Sequence, residues 1–424
     1  MDRLLIKGAR IIDPANGIDQ IGDILIDNGK IANIGWCADD LDAQKIHADG
    51  LIAAPGLVDM HVHLRDPGFT QKEDILSGCK AAAAGGVTSL LCMPNTNPTA
   101  DCAQVLSYIQ KKAEAADARV YVAAAITKGL QSEQLSDFDE LKASGAIAVS
   151  DDGRPVVNTA LMAQAMRLAA KLGLKVVSHC EDLFLSDGGK LNEGAVSQAL
   201  GVKGVPAAAE DCGTAREIAL AAAYQVPVHI CHVSTKTSVA LIRDAKRRGV
   251  RVTAETAPHY FALNEQELLA RDADFRMSPP LRTEEDRLAV LAGLMDGTID
   301  AIATDHAPHT AEEKADFLAA PNGSIGMETS LAAGITYLVK TRLITYYQSI
   351  HLMSTAPARI LGINAGTLSI GCPADLVLFH PEESWLVDAE RLHGKSKNAV
   401  FKDKELNGKV KMTICGGRIV YDAL

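Results

Sequence analysis

The sequence predicts an α/β protein in which a (β/α)8 barrel carries a small β domain assembled from both ends of the chain. Three observations lead there. Eight short apolar runs alternate with alanine-rich stretches of helical pattern through the middle of the chain. Alternating β segments sit near both termini, each too small to bury a face alone. No Gly-x-Gly-x-x-Gly follows the first central run, which argues against an open, doubly wound sheet.

Composition bounds the answer. The chain has 424 residues, 47% of them apolar, which suits one barrel plus an accessory domain. None of its apolar runs reaches membrane-spanning length, so no membrane partner is expected. The net charge is -11 at pH 7 and no Lys/Arg cluster is long enough to track phosphates, so nucleic acid is excluded as a partner; Lys246-Arg247-Arg248 reads as the solvated end of a helix. Nine scattered cysteines without a C-x-x-C pair indicate reduced thiols and a cytoplasmic protein. The start, Met1-Asp2-Arg3 followed by Leu4 to Gly8, is too short and too charged for a signal peptide.

In chain order, residues 4–54 read as β-structure. Leu4-Leu5-Ile6 and Arg10-Ile11-Ile12-Asp13 flank Lys7-Gly8-Ala9, and Asp23 to Ile26 meets Lys30 to Ile34 across Asp27-Asn28-Gly29, a strong hairpin signal. Met412 to Asp422 mirrors Leu4 to Asp13, so residues 1–54 and 366–424 are expected to share one sheet domain, with 55–365 as the barrel. The central runs are residues 57–63, 86–93, 119–124, 146–150, 175–178, 227–231, 251–254 and 299–304, with helical patterns such as Asn158 to Leu172 between them. They are almost continuously apolar, as strands buried on both faces must be.

In such a barrel the chemistry sits at the C-terminal ends of the strands. The first run ends in His61-x-His63, whose period-two spacing projects both imidazoles to one side. The fifth run ends in His179, the sixth in His232 and the eighth in Asp305. Any one of these could be a satisfied core or capping residue. Four histidines and a carboxylate at one rim point instead to a metal site.

These residues also carry a resemblance. His61-x-His63-x-Arg65-Asp66-Pro67-Gly68, Met93-Pro94-Asn95-Thr96-Asn97-Pro98, Ser178-His179-Cys180-Glu181-Asp182, His232-Val233-Ser234-Thr235, Ser278-Pro279-Pro280-Leu281-Arg282 and Thr304-Asp305-His306-Ala307-Pro308-His309 resemble the long-chain bacterial dihydroorotases of the amidohydrolase superfamily, over essentially the whole chain. The resemblance implies a distorted TIM-type barrel, a small β-sandwich from both termini, and one or two zinc ions. It implies that His61, His63 and Asp305 hold one zinc and His179 and His232 the second. Many superfamily members bridge the ions with a carboxylated lysine on the fourth strand, but residues 145–153 contain none, so an aspartate takes that place. Asp152 is preferred to Asp151 for its spacing from His179, leaving Asp151 as the turn former.

Zinc lowers the pKa of a bound water from about 15.7 towards about 7, and Asp305 would carry the proton to the leaving nitrogen. The implied reaction is the reversible interconversion of N-carbamoyl-L-aspartate and L-dihydroorotate, the third step of de novo pyrimidine synthesis. By the same resemblance His63, Arg65, Asn95, Ser278, His309, Asn322 and Gly323 bind this small-molecule substrate; Ser278 departs from the asparagine expected before Pro-Pro-Leu-Arg. A homodimer is implied, and association with an aspartate transcarbamoylase is left open. Two rivals stand beside this reading: a sibling cyclic-amide hydrolase such as an allantoinase or dihydropyrimidinase, and a non-catalytic transcarbamoylase scaffold. The missing strand-four lysine and the arginine after His-x-His speak against the first; the complete ligand set speaks against the second. Glu73, Glu255 and His259 are left as supporting or structural candidates.

Overall fold

The computed structural model describes residues 3–37 and 42–424; Met1 and Asp2, on which the leader argument partly rests, lie outside them. Five strands come from the N-terminal segment: β1 (Leu4–Asp13), β2 (Ile18–Asp27), β3 (Lys30–Gly35), β4 (Gln44–His47) and β5 (Ile52–Pro55). The barrel follows as β6 (Leu57–Val62), β7 (Val87–Cys92), β8 (Arg119–Ala125), β9 (Ala148–Ser150) and β10 (Lys175–Ser178). After a short parallel pair, β11 (Leu191–Asn192) and β12 (Gly204–Val205), it continues with β13 (Val228–Ile230), β14 (Val252–Thr256) and β15 (Ala301–Ile302). The chain returns to the terminal sheet as β16 (Leu376–Leu386), β17 (Glu405–Cys415) and β18 (Arg418–Asp422).

The terminal segments form one hydrogen-bonded path, β18-β17-β16-β5-β1-β2-β3, with β4 paired to β1. It curls over its own core, which joins Ile6, Ile11, Ile24 and Ile31 to Leu376, Leu378, Met412 and Ile414. The β2–β3 turn has positive φ at Asn28 (50°) and Gly29 (76°), the pattern of a two-residue hairpin turn that suits Asn-Gly. The mirror between the chain ends is only partial. Residues 412–422 do turn back, at Gly416-Gly417, whereas Leu4–Asp13 continues as one strand through an irregularity between Ile6 and Ala9. There Asp23 Oδ1 accepts from the Gly8 N–H at 3.0 Å, so the step out of register leaves that donor satisfied.

The barrel strands are all parallel, in the order β15-β14-β13-β10-β9-β8-β7-β6. The ring closes through a bridge between Val62 and His306, with the His63 N–H donating to the His306 carbonyl at 2.8 Å. The last strand is shorter than the apolar run 299–304, because the chain leaves the ladder before Asp305. The helix expected over 158–172 spans Thr159–Leu172, its first turn capped by Asn158 Oδ1, which accepts from Ala160 and Leu161. Apolar helix faces and outward strand residues such as Leu90, Val122, Val176, Ile230 and Ala254 form one large core. All nine cysteines are free thiols. Among the described residues no helix is long and apolar enough to cross a membrane.

Candidate active site

Strand ends bring the predicted residues together. His61 lies in β6 and His63 just past it; Asp152, His179, His232 and Asp305 follow β9, β10, β13 and β15. His232 (φ 36°), Asp305 (φ 48°) and Arg65 (φ 61°) hold left-handed backbones, a conformation that costs a non-glycine residue about 1 kcal/mol or more. Such costs gather where a side chain must be aimed.

Asp152 is the hub. Its Oδ1 lies 3.3 Å from His61 Nε2, 3.6 Å from His179 Nδ1 and 3.7 Å from His232 Nε2, while its Oδ2 lies 3.4 Å from His63 Nε2. Asp305 Oδ1 lies 3.1 Å from His63 Nε2 and 3.6 Å from His61 Nε2. Two ligands on one tetrahedral ion with bonds of 2.0–2.1 Å sit roughly 3.3 Å apart, which these separations bracket. His61 Nε2 and Asp152 Oδ1 are also buried without a hydrogen-bond partner among the described residues. The donor set therefore fits a metal. Asp151 faces the other way: its Oδ1 accepts from the Thr127 N–H at 3.0 Å and its Oδ2 from the Thr127 hydroxyl.

Both hub carboxylates are ionised. Burial alone would raise Asp152, but the facing imidazoles of His61, His179 and His232 hold it well below the carboxylate range. Asp305 is likewise held low, against burial, by the imidazoles of His63 and His61. Three of the four imidazoles are steered by a partner on their other nitrogen. His61 Nδ1 donates to Glu255 Oε1 (3.0 Å), His63 Nδ1 to Asn95 Oδ1 (2.8 Å) and His179 Nε2 to Glu181 Oε2 (2.8 Å).

Above this cluster opens a cavity of about 430 Å³, lined among others by Arg65, Asn95, Ser278, His309, Asn322 and Gly323. Arg65 Nε donates to the Pro308 carbonyl (3.2 Å) and its Nη2 lies 3.3 Å from His309 Nε2. Among the described residues no carboxylate pairs with this guanidinium; burial brings its pKa down to about 10, against the Asp305 and Asp152 charges, so it stays cationic at neutral pH. His309 is pushed down to about 3 by burial and by the charges on Arg65, Lys72 and Lys314, against the Glu313 carboxylate 3.2 Å from its Nδ1, and its Nε2 lies 2.9 Å from the Asn322 carbonyl oxygen. Asn322 turns its side-chain oxygen towards Arg276 Nη2 (3.1 Å), and the Gly323 N–H is bound to the Arg276 carbonyl (2.9 Å). A Cβ on Gly323 would lie 2.7 Å from Ala307 Cβ and 3.1 Å from His309 Cδ2, so this loop forms a close wall.

Sequence reasoning missed several supporting residues. His229 and Asp59 lay inside apolar runs and were not singled out, yet Asp59 accepts from Thr304 (N–H, 3.0 Å; hydroxyl, 2.5 Å), fixing the approach to Asp305. Asp66 anchors the segment after Arg65 through Lys112 Nζ (2.5 Å) and the Tyr108 hydroxyl (3.0 Å). Of the candidates left open, Glu255 supports His61, Glu73 accepts from the Ser77 hydroxyl and the Lys395 N–H, and His259 is buried against Tyr260.

A rim of imidazoles and ionised carboxylates that fits a metal, facing a fixed cation, suits the opening of a cyclic amide, the chemistry of the cyclic amidohydrolases. Relatives narrow that class. A family profile described as Dihydro-orotase-like matches residues 50–238. The chain is 51% identical over 421 residues to the dihydroorotase of Geobacter metallireducens, covering 99% of each, and 48% identical over 419 residues to that of Acetivibrio thermocellus, covering 98% of each. Among solved structures it is similar to a dihydropyrimidinase from Brevibacillus agri (TM-score 0.88, 25% identity, 99% of this chain and 95% of that one). It also shares its fold with an L-hydantoinase from Arthrobacter aurescens (TM-score 0.89, 24% identity, 100% and 97%). The chain belongs to the dihydroorotase family.

Proposed function

We propose that this enzyme interconverts N-carbamoyl-L-aspartate and L-dihydroorotate, with release or uptake of water, as the third step of de novo pyrimidine synthesis in the cytoplasm. The observation that carries the reading is an Arg65 guanidinium without a carboxylate partner among the described residues, in the same cavity as the His/Asp cluster. Whole-chain identity to dihydroorotases supports it further. The sibling hydrolases share the fold at 24–25% identity, and their neutral rings would leave that guanidinium unpaired.

His61, His63, Asp152, His179, His232 and Asp305 would hold one or two zinc ions, with Asp152 shared between them. Zinc, when bound there, would acidify a water and polarise the amide carbonyl. The remaining work falls to side chains. Arg65 offers a planar fork that takes the ring carboxylate with two charge-assisted hydrogen bonds. Asn95 gives its oxygen to His63, which leaves its amide N–H groups for the substrate. Ser278 offers a hydroxyl, and His309 with the Asn322-Gly323 loop closes the cavity around the ring. Asp305, ionised beside His63, takes the proton of the attacking water and returns it to the ring nitrogen as the C–N bond breaks. Ring closure uses the same groups in reverse. A homodimer and an aspartate transcarbamoylase partner rest on the family resemblance alone.

The test is metal-dependent turnover. Purified enzyme stripped with a chelator should lose dihydroorotate hydrolysis and regain it on zinc addition, with one to two zinc ions bound per chain. Undiminished turnover by metal-free protein would overturn the proposal.

A further inference from the structure

We infer that His229 is a positioning residue for the metal cluster, acting through Glu255 on His61; the inference rests on the zinc reading above. His229 lies in β13, paired with Thr253 of β14, and does not line the substrate cavity. Its Nε2 is 3.2 Å from Glu255 Oε2 and its Nδ1 is 2.9 Å from Thr253 Oγ1. The other Glu255 oxygen, Oε1, is 3.0 Å from His61 Nδ1. His61, Glu255 and His229 are all fully buried.

With Glu255 ionised and both imidazoles neutral, as a metal-binding histidine must be, one assignment of protons satisfies the whole chain. A carboxylate only accepts, so both histidines donate to it: His229 from Nε2–H and His61 from Nδ1–H. His229 Nδ1 is then a lone pair that accepts from the Thr253 hydroxyl. His61 Nε2 is likewise a lone pair, and this is the buried nitrogen that faces Asp152 and Asp305 without a hydrogen-bond partner. The row Thr253, His229, Glu255, His61 thus fixes which His61 nitrogen is free to bind a metal. Without the His229 N–H, Glu255 Oε2 would be a buried carboxylate oxygen with no donor among the described residues, and the carboxylate could rotate away from His61.

The experiment measures zinc affinity by chelator competition on the full chain. H229L removes the donor at similar volume and should weaken zinc binding by about 10- to 100-fold, the usual loss when a partner of a metal-binding histidine is removed. H229Q keeps an N–H near the place of Nε2 and should stay within a few-fold of the parent. At saturating zinc, KM for dihydroorotate should be unchanged in both, because His229 does not reach the cavity. Should H229L fail to fold, T253V removes only the donor to Nδ1 and should show a smaller loss in the same direction. A purely structural role would lower thermal stability without moving zinc affinity, which overturns the inference. Equal zinc losses in H229Q and H229L also overturn it. A parent chain that binds no zinc overturns the metal reading as well, whereas a zinc-binding parent matched by H229L overturns this inference alone.

Discussion

Replacing Arg65 by methionine keeps an apolar stem of similar reach and removes the cationic fork. The guanidinium is held by the Pro308 carbonyl at 3.2 Å and lies 3.3 Å from His309 Nε2, with no carboxylate paired to it among the described residues, so its free hydrogen-bonding capacity points into the cavity. A ring carboxylate docked on it forms two charge-assisted hydrogen bonds, each contributing about 1.5–3 kcal/mol. Losing both removes about 3–6 kcal/mol of substrate and transition-state binding, or about 10²- to 10⁴-fold in kcat/KM for dihydroorotate. Among the described residues none of the six metal-facing side chains hydrogen-bonds to Arg65, so zinc content should not change. The assay is kcat/KM on R65M after elemental analysis has matched its zinc to the parent. A fall of less than about tenfold, under about 1.4 kcal/mol and so below the loss of even one such bond, would refute Arg65 as the carboxylate receptor.

Asp305→Asn keeps the shape of the side chain but loses the base, and steady-state turnover should fall by at least about 10²-fold; near-normal turnover would move the proton to another group. Asp152→Ala removes the carboxylate that faces all four imidazoles, and elemental analysis should find less than the parent's zinc, with Asp151→Ala retaining it. His309 bears on pH: its folded pKa lies near 3 against about 6.5 in the unfolded chain, so the unfolded state binds the extra proton within that window. Stability from this group is therefore intact above pH 6.5 and is lost as pH falls towards 3. Urea titrations should show the parent losing up to about 1.4 kcal/mol per pH unit more than H309Q there, and parallel curves would contradict it.

What the sequence revealed follows from how local each feature is. His61-x-His63 was legible because strand periodicity alone puts two imidazoles on one side, and both Nε2 atoms do face Asp152 and Asp305. Asn28-Gly29 was legible because that turn needs two positive φ values in succession. Asp305 could be placed at a strand end even though its strand is only Ala301–Ile302. The supporting roles were only partly legible because they depend on distant partners: Glu255 could be set aside as a candidate but not given its task, since it meets His61 across 194 residues of sequence, and Asp59 meets Thr304 across 245. His229 went unremarked inside its apolar run because only the neighbouring strand supplies the carboxylate that gives it a task. The step at Gly8 was hidden for a similar reason, since Asp23 on the paired strand satisfies the displaced N–H.

The claim on which the account turns is that the cavity selects a ring bearing a carboxylate. Measuring kcat/KM for dihydroorotate, dihydrouracil, hydantoin and allantoin on one zinc-replete preparation tests it directly. An unpaired buried guanidinium penalises each neutral ring by more than a lost neutral contact would, and a site built for a polar group rejects analogues lacking it by about 10⁴-fold or more, so dihydroorotate should dominate by orders of magnitude. Equal or faster turnover of an uncharged ring would contradict the account and favour a sibling hydrolase, and no turnover of any ring at full zinc would favour a scaffold.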